Sequence, residues 1–406
     1  MLANASPRTV RASLVRLPRV YWLLWSGALI NRLGGFVLPL LALYLTGPRG
    51  LSVAQAGVII SLLGAGMLCS GPLGGFLADR LGRRRTLVFA LVAGSIAMLH
   101  LSAARMPWHI GVGAFLLGLF GDLYRPAVSA AIADLVEESD RVFAYGTLYW
   151  AVNLGFAVGS SLGGFLATRG WLLLFYGDAL TTLVFAVIVW WKVPETMLVV
   201  SKHERISLLA PLANGRFVLF VVLTGMVWMI FHQGFVTLPI DLNEHGLSPR
   251  IYGALIAENG VLIVFLQPVV SRAMARFQRH RVLAFAAVLV GVGFGLTGFV
   301  HGLAGYAFAI AVWSLGEITM AGLGPAVAAD AAPAHLRGAY QGFFQAGGGT
   351  ATLLAPIAGS FVLERFGSRA LWSCCALLGF CGAAGHFLVG SIRNSQREGL
   401  TSSQLQ

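Results

Sequence analysis

Runs of about twenty apolar residues recur along this chain, each the length a helix needs to cross the hydrocarbon of a bilayer. WSGALINRLGGFVLPLLALYL, residues 25–45, is one of twelve. Lipid leaves a backbone two ways to satisfy its polar groups, helices or a closed barrel. Barrel strands alternate polar and apolar side chains over about ten residues. These runs do not alternate, so they read as helices of an all-α integral membrane protein. Composition agrees: of 406 residues, 57% are hydrophobic and 11% charged, with a mean hydropathy of +0.79. Soluble domains carry about 25% charged residues, so polarity here is too scarce to cover a water-facing surface. The 51 glycines suit close helix–helix approach in lipid.

The expected spans lie near 20–45, 53–78, 85–105, 108–135, 141–167, 171–193, 216–242, 249–274, 281–302, 304–331, 336–363 and 369–391. They divide the chain into an N-terminal tail (1–19), six helices (20–193), a polar linker (194–215), six further helices (216–391) and a C-terminal tail (392–406). With the N-terminus in the cytoplasm, 20 of the 28 Lys and Arg residues fall on that side and six on the other, leaving Arg32 and Arg125 within the membrane. The positive-inside rule then places both termini and the linker in the cytoplasm, as for a cell (inner) membrane protein. The net charge of +12 is explained by this topology and by contact with anionic lipids; no nucleic-acid partner is implied. The basic start lacks the apolar core and cleavage site of a signal peptide. Cys69, Cys374, Cys375 and Cys381 form no metal-ligand spacing and read as small buried hydrophobes. No metal or cofactor is expected.

The two halves repeat at an offset of 196: Pro72 with Pro268, Arg80 with Arg276, Arg83 with Arg279, Asp134 with Asp330, Arg141 with Arg337, Gly163 with Gly359. Parallel six-helix repeats of this kind are a transporter architecture. Between spans two and three stands GGFLADRLGRRR, residues 74–85. Gly82 suits a tight turn and Gly75 a close helix approach. Asp79 ends a helix within reach of Arg80, Arg83 and Arg84. The pattern resembles the signature loop of the major facilitator superfamily. That resemblance implies two pseudo-symmetric six-helix bundles that alternate access to a midplane cavity. It also implies a conformational gate at Gly75, Asp79, Arg80, Gly82, Arg83 and Arg84, to which Asp134 and Arg141 belong as nearby charges. GFAVGSSLGG in span five, residues 155–164, is similar to the antiporter motif of drug–proton antiporters, with Ser160 where that motif has proline.

Charges within the spans mark the candidate site. In LFGDLYRPAV, residues 119–128, Asp122 and Arg125 lie three residues apart on one helix face and can pair. Each lies more than ~20 Å into span four at 1.5 Å per residue. A charge near the bilayer centre costs ~2.5–3.5 kcal/mol on insertion scales. Pro126 cannot donate to the carbonyl of residue 122, which predicts a bend and an orphan oxygen there. Pro39 frees the carbonyl of Gly35 in span one in the same way, beside Asn31 and Arg32. The resemblance implies that spans one, four, seven and ten line the cavity, which would bring Arg32 towards Asp122. Glu258 in span eight and Glu317 in span ten have no basic neighbour on their own helix. A carboxyl of that kind can be protonated in one conformation and ionised in another, the requirement of proton coupling. Asp122, Glu258 and Glu317 are therefore the candidate proton carriers. Asn31, Arg32, Arg125, Tyr149, Trp150, Asn153, His232, Gln233, Asn259, Gln341 and Gln345 are the candidate substrate contacts. Asp178, in a span the resemblance makes peripheral, is left out.

No phosphate loop GxxxxGK[ST] occurs, so direct ATP drive is not expected. No nucleophile–base pair suggests an enzyme. The expected function is a monomeric, proton-coupled secondary transporter exporting amphipathic small molecules, cationic ones among them. Two alternatives stand beside it: proton-coupled movement of a specific anionic or zwitterionic metabolite, peptide or lipid, and a non-transporting sensor on the same fold.

Overall fold

Proline decides where the apolar runs stop being single helices. A ring nitrogen cannot donate to the carbonyl four residues back, and the ring clashes with that carbonyl. In the computed structural model, which describes residues 17–196, 210–274, 276–320, 323–331 and 337–403, three spans are interrupted close to such a carbonyl. Span one is α1 (Arg19–Leu33) and α2 (Val37–Thr46), broken ahead of Pro39. Span four is α5 (Pro107–Gly121) and α6 (Tyr124–Leu135), broken at Asp122 ahead of Pro126. Span seven is α9 (Gly215–Val236) and α10 (Leu238–Glu244), with Pro239 in the first turn of α10. Span ten is described as α13 (Gly302–Met320) and α14 (Leu323–Ala331), with residues 321–322 outside the described residues. The sequence predicts bends at Pro39 and Pro126 within continuous spans; in spans one, four and seven the breaks are full interruptions.

The remaining spans are unbroken. They are α3 (Val53–Leu81), α4 (Arg83–Ala103), α7 (Glu138–Ala167), α8 (Trp171–Lys192), α11 (Pro249–Met274) and α12 (Arg279–Leu296). The last two spans form one continuous assignment, α15 (Arg337–Ser403), interrupted only at Gly367, whose φ of 82° lies in the left-handed region. Among the described residues eleven stretches are long and apolar enough to cross a membrane, and Gly367 divides the last of them into two passes. Ser52 and Gln55 start α3 with a reciprocal capping box. Of the expected linker, residues 197–209 lie outside the described residues, and Ala210–Ala213 forms a 3-10 turn.

Lipid tails are as apolar as leucine, so helices associate through close packing and interhelical hydrogen bonds. Gly118 packs so tightly that a Cβ there would lie 2.0 Å from the Leu63 carbonyl oxygen. Tyr21, fully buried, donates from its hydroxyl to the Ala144 carbonyl at 2.8 Å, joining α1 to α7. Trp190, Trp191 and Trp108 remain exposed at span ends, as expected of an aromatic belt at the lipid–water boundary.

Two compact units result, and they do not follow the repeat boundary at residues 194–215. The first comprises 1–202 with 235–264 and 356–361; the second comprises 203–234, 265–355 and 362–406. Small residues explain what the first unit gains. A Cβ on Gly253 of α11 would lie 2.5 Å from the Ser160 carbonyl of α7, and one on Gly260 would lie 2.8 Å from Ala157 Cβ. One on Gly57 of α3 would meet the Pro356 carbonyl at 2.7 Å. In the second unit Phe217 packs on Tyr340 at 4.6 Å, and Phe294 stacks on Trp313 at 5.1 Å.

Candidate functional site

The break in span four presents Asp122 as the cap between α5 and α6, and the end of α1 presents Arg32. Arg32 Nη2 lies 3.4 Å from Asp122 Oδ1, and Arg125 Nε lies 2.9 Å from the same oxygen. The side chains of Arg32 and Asp122 are 16% and 22% exposed, whereas Arg125 is half exposed at 51%. The orphan oxygen expected at residue 122 is absent: the Arg125 N–H donates to the Asp122 carbonyl at 3.0 Å. A tight turn absorbs the acceptor that Pro126 leaves unserved. Beside the ion pairs, Tyr124 donates to Asn31 Oδ1 at 3.2 Å, and Asn31 Nδ2 donates to Thr182 at 2.8 Å. Asn31 is thus held between spans four and six.

Asn31, Arg32, Asp122 and Thr182 line a cavity of ≈ 60 Å³ in the first unit, together with Asp178 of α8 and apolar side chains such as Leu63, Met67 and Leu117. Asp178, left out of the expected site, is 7% exposed, and its Oδ2 accepts the Val37 N–H at 3.4 Å. That amide heads α2 and is free to be bonded because span one breaks before it. No local pattern announces a bond across 141 residues. Gly155 and Gly159 of the motif-like segment press against the same place, a Cβ on Gly159 falling 2.8 Å from the Arg32 carbonyl.

The other candidates disperse. Glu258, on α11, is partly buried, with no hydrogen bond or ion pair among the described residues. Its neighbour Asn259 is buried at 2% exposure. Tyr149 and Trp150 are exposed at 48% and 46%, and Asn153 donates to its own helix at the Tyr149 carbonyl, 2.9 Å away. In the second unit, His232 Nε2 lies 2.8 Å from Thr352 Oγ1, and Gln233 donates to the Ala355 carbonyl at 2.9 Å. Gln233 is therefore committed to the backbone of α15. Glu317 is partly buried on α13, and Gln345 is exposed. The side chains of Gln341, Asp79 and Arg141 lie outside the described residues.

At the end of the first unit where α1 begins, the gate residues form a network. Arg83 pairs with Asp134 at 3.2 Å and donates to the Ala78 carbonyl at 2.7 Å. Arg84 bonds the Trp190 carbonyl and lies over the Trp190 ring at 5.4 Å. Arg80 is exposed, over Phe76 at 4.7 Å. Close approach falls on Gly74, where a Cβ would meet the Leu123 carbonyl at 2.5 Å, and not on Gly75, where it would meet nothing within 4 Å. Successive positions on a helix face different ways, and Gly74 is the one turned to span four. Nothing in the sequence points to Glu195: its carboxylate accepts the N–H groups of Arg83 at 2.7 Å and Arg84 at 3.2 Å, capping α4. Gly82 has φ 95°, and a Cβ there would lie 2.3 Å from Glu195 Oε2. Gly82→Ala is therefore expected to cost about 1–3 kcal/mol through backbone strain and to dislodge the cap. The thermal midpoint in detergent should fall, and Glu195→Gln should show part of the same loss.

The chain's likeness to known proteins agrees with this geometry. The model of the Major Facilitator Superfamily matches residues 24–241 and again 217–404. An uncharacterized MFS-type transporter of Bacillus subtilis (strain 168), YttB, is 26% identical over 367 residues, covering 87% of this chain and 91% of that protein. The Na(+), Li(+), K(+)/H(+) antiporter of Planococcus maritimus is 28% identical, over 78% of this chain and 85% of its own length. Multidrug resistance protein MdtH of Salmonella typhi is 25% identical, over 91% and 94%. Among solved structures, the nucleoside transporter NupG matches with a TM-score of 0.77 at 14% identity, covering 92% of this chain and 99% of that one. The POT family transporter PepTSo matches with 0.79 at 15%, over 94% and 99%. These two show a shared fold. A chain of twelve apolar passes, duplicated in two halves and matched by the family model along both, belongs to the Major Facilitator Superfamily: it is a multi-pass membrane transporter and not an enzyme.

Proposed function

We propose that this transporter is proton-coupled, works by alternating access and exports amphipathic small molecules, including cations, from the cytoplasmic side of the cell membrane, with both termini cytoplasmic. The observation that carries the reading is the set of three proline-broken spans, two of whose breaks hold or adjoin intramembrane charge at Arg32 and Asp122. Broken helices are tolerated at membrane depth where they are buried in protein or line a water-filled cavity, and transporters use them at substrate and ion sites. Glu258 supports a cation: a carboxyl without a described partner is free to exchange a proton for a positively charged substrate. Similarity to MdtH and to a cation/proton antiporter supports the same direction. Asp122, Glu258 and Glu317 are the proposed proton carriers, and Tyr149 and Trp150 the proposed apolar contacts.

Arg125 favours a second reading. Half exposed and tied only at Nε to Asp122, it can offer the rest of its guanidinium to an anionic or zwitterionic substrate.

Glu258→Gln separates the two. Under the cation reading, pH-driven efflux of ethidium from proteoliposomes is lost while ethidium counterflow without a gradient persists. Full pH-driven efflux in the variant removes Glu258 from the coupling mechanism. Uptake of an anion that Arg125→Gln abolishes supports the second reading.

A further inference from the structure

The cavity of the first unit holds a titratable group that neither the gate nor the proposed carriers use. Asp178 sits two turns into α8 from Trp171, buried to 7% exposure, at the wall of the ≈ 60 Å³ space it shares with Arg32 and Asp122. No nitrogen of a basic side chain lies within 4 Å of its carboxyl among the described residues. It accepts the Val37 N–H at a long 3.4 Å and also faces the backbone N–H of Phe36. Asp122, by contrast, is bracketed by two guanidinium groups. An intramembrane carboxyl without a close cation is costly as an anion, and a space of this size holds a few waters at roughly 10–15 Å³ each.

We propose that Asp178 is a proton-binding site of this transporter, and that its charge sets how firmly span six holds the broken middle of span one. The proposal rests on the proton-coupled reading above. When ionised, the carboxylate accepts the first amide of α2 and faces the N-terminus of a ten-residue helix, where a negative charge is favoured. A proton supplied from the bulk and relayed through cavity water converts it to a neutral acid. The amide then has a poorer acceptor and the dipole no charge to attract, so the tie loosens. Nothing else is consumed or released. A metal ion is the weaker occupant, because the Arg32 guanidinium opens into the same cavity. The tie has a route to the far end of the bundle: α2 packs against α3, α7, α8 and α10, so freeing its first turn loosens a helix that four others hold.

Other titratable groups face this position from the packed elements. From α1 comes Arg32 and from span four Tyr124, both of which interact electrostatically with Asp178, and Asp122 of span four shares the cavity wall. From α2 comes Tyr44, whose ring packs on Phe175 at 4.7 Å. From α4 comes Ser95, which donates to the Ala179 carbonyl at 3.2 Å, while His100 is exposed and turned to His109. The titratable residues of α7 lie within 138–149, in its first half. Asp122 is the only other acid at the cavity wall.

Hydrogen exchange by mass spectrometry on the full chain in lipid nanodiscs, without substrate, tests this. The readout is protection of residues 34–46 at pH 8 and pH 5, corrected for the intrinsic pH dependence of exchange. Wild type should lose about tenfold in protection at acid pH, as a loss of roughly 1.4 kcal/mol in local opening free energy would give. Asp178→Asn should be poorly protected at both pH values. Asp178→Ser, which caps a helix without titrating, should be pH-independent and better protected than the Asn variant; it also serves if Asp178→Asn fails to fold. Glu364→Gln, at an exposed carboxyl outside the cavity lining, should keep the pH step. A step that survives in Asp178→Asn or Asp178→Ser, vanishes in Glu364→Gln, or is missing in wild type overturns the proposal. Because no substrate is present, a wild-type step alongside absent ethidium efflux would reject the export reading and leave this site standing.

Discussion

Asp122→Ala is expected to destabilise the folded chain by about 3–5 kcal/mol, the range for removing one partner of a buried ion pair. Arg32 is the reason. Its side chain is 16% exposed, its Nε has no hydrogen-bond partner, and its described ion pair is with Asp122. Without the aspartate the guanidinium stays in a low-dielectric interior without its close ion-pair partner. Arg125 contributes little to the loss, being half exposed and able to turn to water. The thermal midpoint in detergent should fall by roughly 10 °C, taking about 2–4 °C per kcal/mol for a large chain. Arg32→Met combined with Asp122→Leu should recover most of that stability, because apolar replacement of a buried pair is often neutral or better. The double variant should still fail to transport. If Asp122→Ala melts like wild type, the pair carries no structural weight and Arg32 is solvated in a way the geometry does not indicate.

Gly164→Leu should leave a folded protein that scarcely transports. A Cβ at this position would lie 2.7 Å from the Pro249 carbonyl and 3.1 Å from Gly253 Cα, so a leucine cannot be seated while α7 and α11 touch. Backbone neighbours cannot step aside as a flexible side chain can, and overpacking of this kind costs about 1–3 kcal/mol. The strain is relieved when the two helices separate, so it penalises the closed seam and not the fold. Active flux should fall about 100-fold, as a bias of roughly 3 kcal/mol between two states would produce. In a background with the four native cysteines replaced, Ala157→Cys, opposite Gly260, should gain reactivity to maleimide when combined with Gly164→Leu. Wild-type flux in Gly164→Leu would mean that the seam need not close during transport.

Much of this was legible in the sequence, because a bilayer allows so few solutions. Span count, helix type and the duplication follow from apolar length and from a loop repeated at a fixed offset. The meeting of Arg32 with Asp122 was expected from the family resemblance, which sets spans one and four at one cavity, and the two intramembrane charges themselves were plain in the sequence. Pro239 carried for span seven the signal that Pro39 and Pro126 carried for spans one and four, and reading the three prolines alike would have found each described break. Asp178 and Glu195 were hidden for a different reason. Each bonds backbone N–H groups, which carry no side-chain signature, across 141 residues for the one and 111 or 112 for the other. Their partners are available only because Gly34–Phe36 and Gly82 interrupt helices. Gly74 and Gly75 illustrate the limit of spacing arguments: a one-residue shift rotates a helical position by about 100°, and sequence alone did not say which glycine faced span four.

Flux measurement in proteoliposomes with an imposed pH gradient tests the central claim most directly, using ethidium, an organic anion and a zwitterionic dipeptide as probes. Proton-coupled export predicts that ethidium moves opposite to protons, that movement stops when the gradient is collapsed, and that Glu258→Gln loses the gradient-driven part. Movement of the anion or dipeptide together with protons, with ethidium left in place, would contradict it.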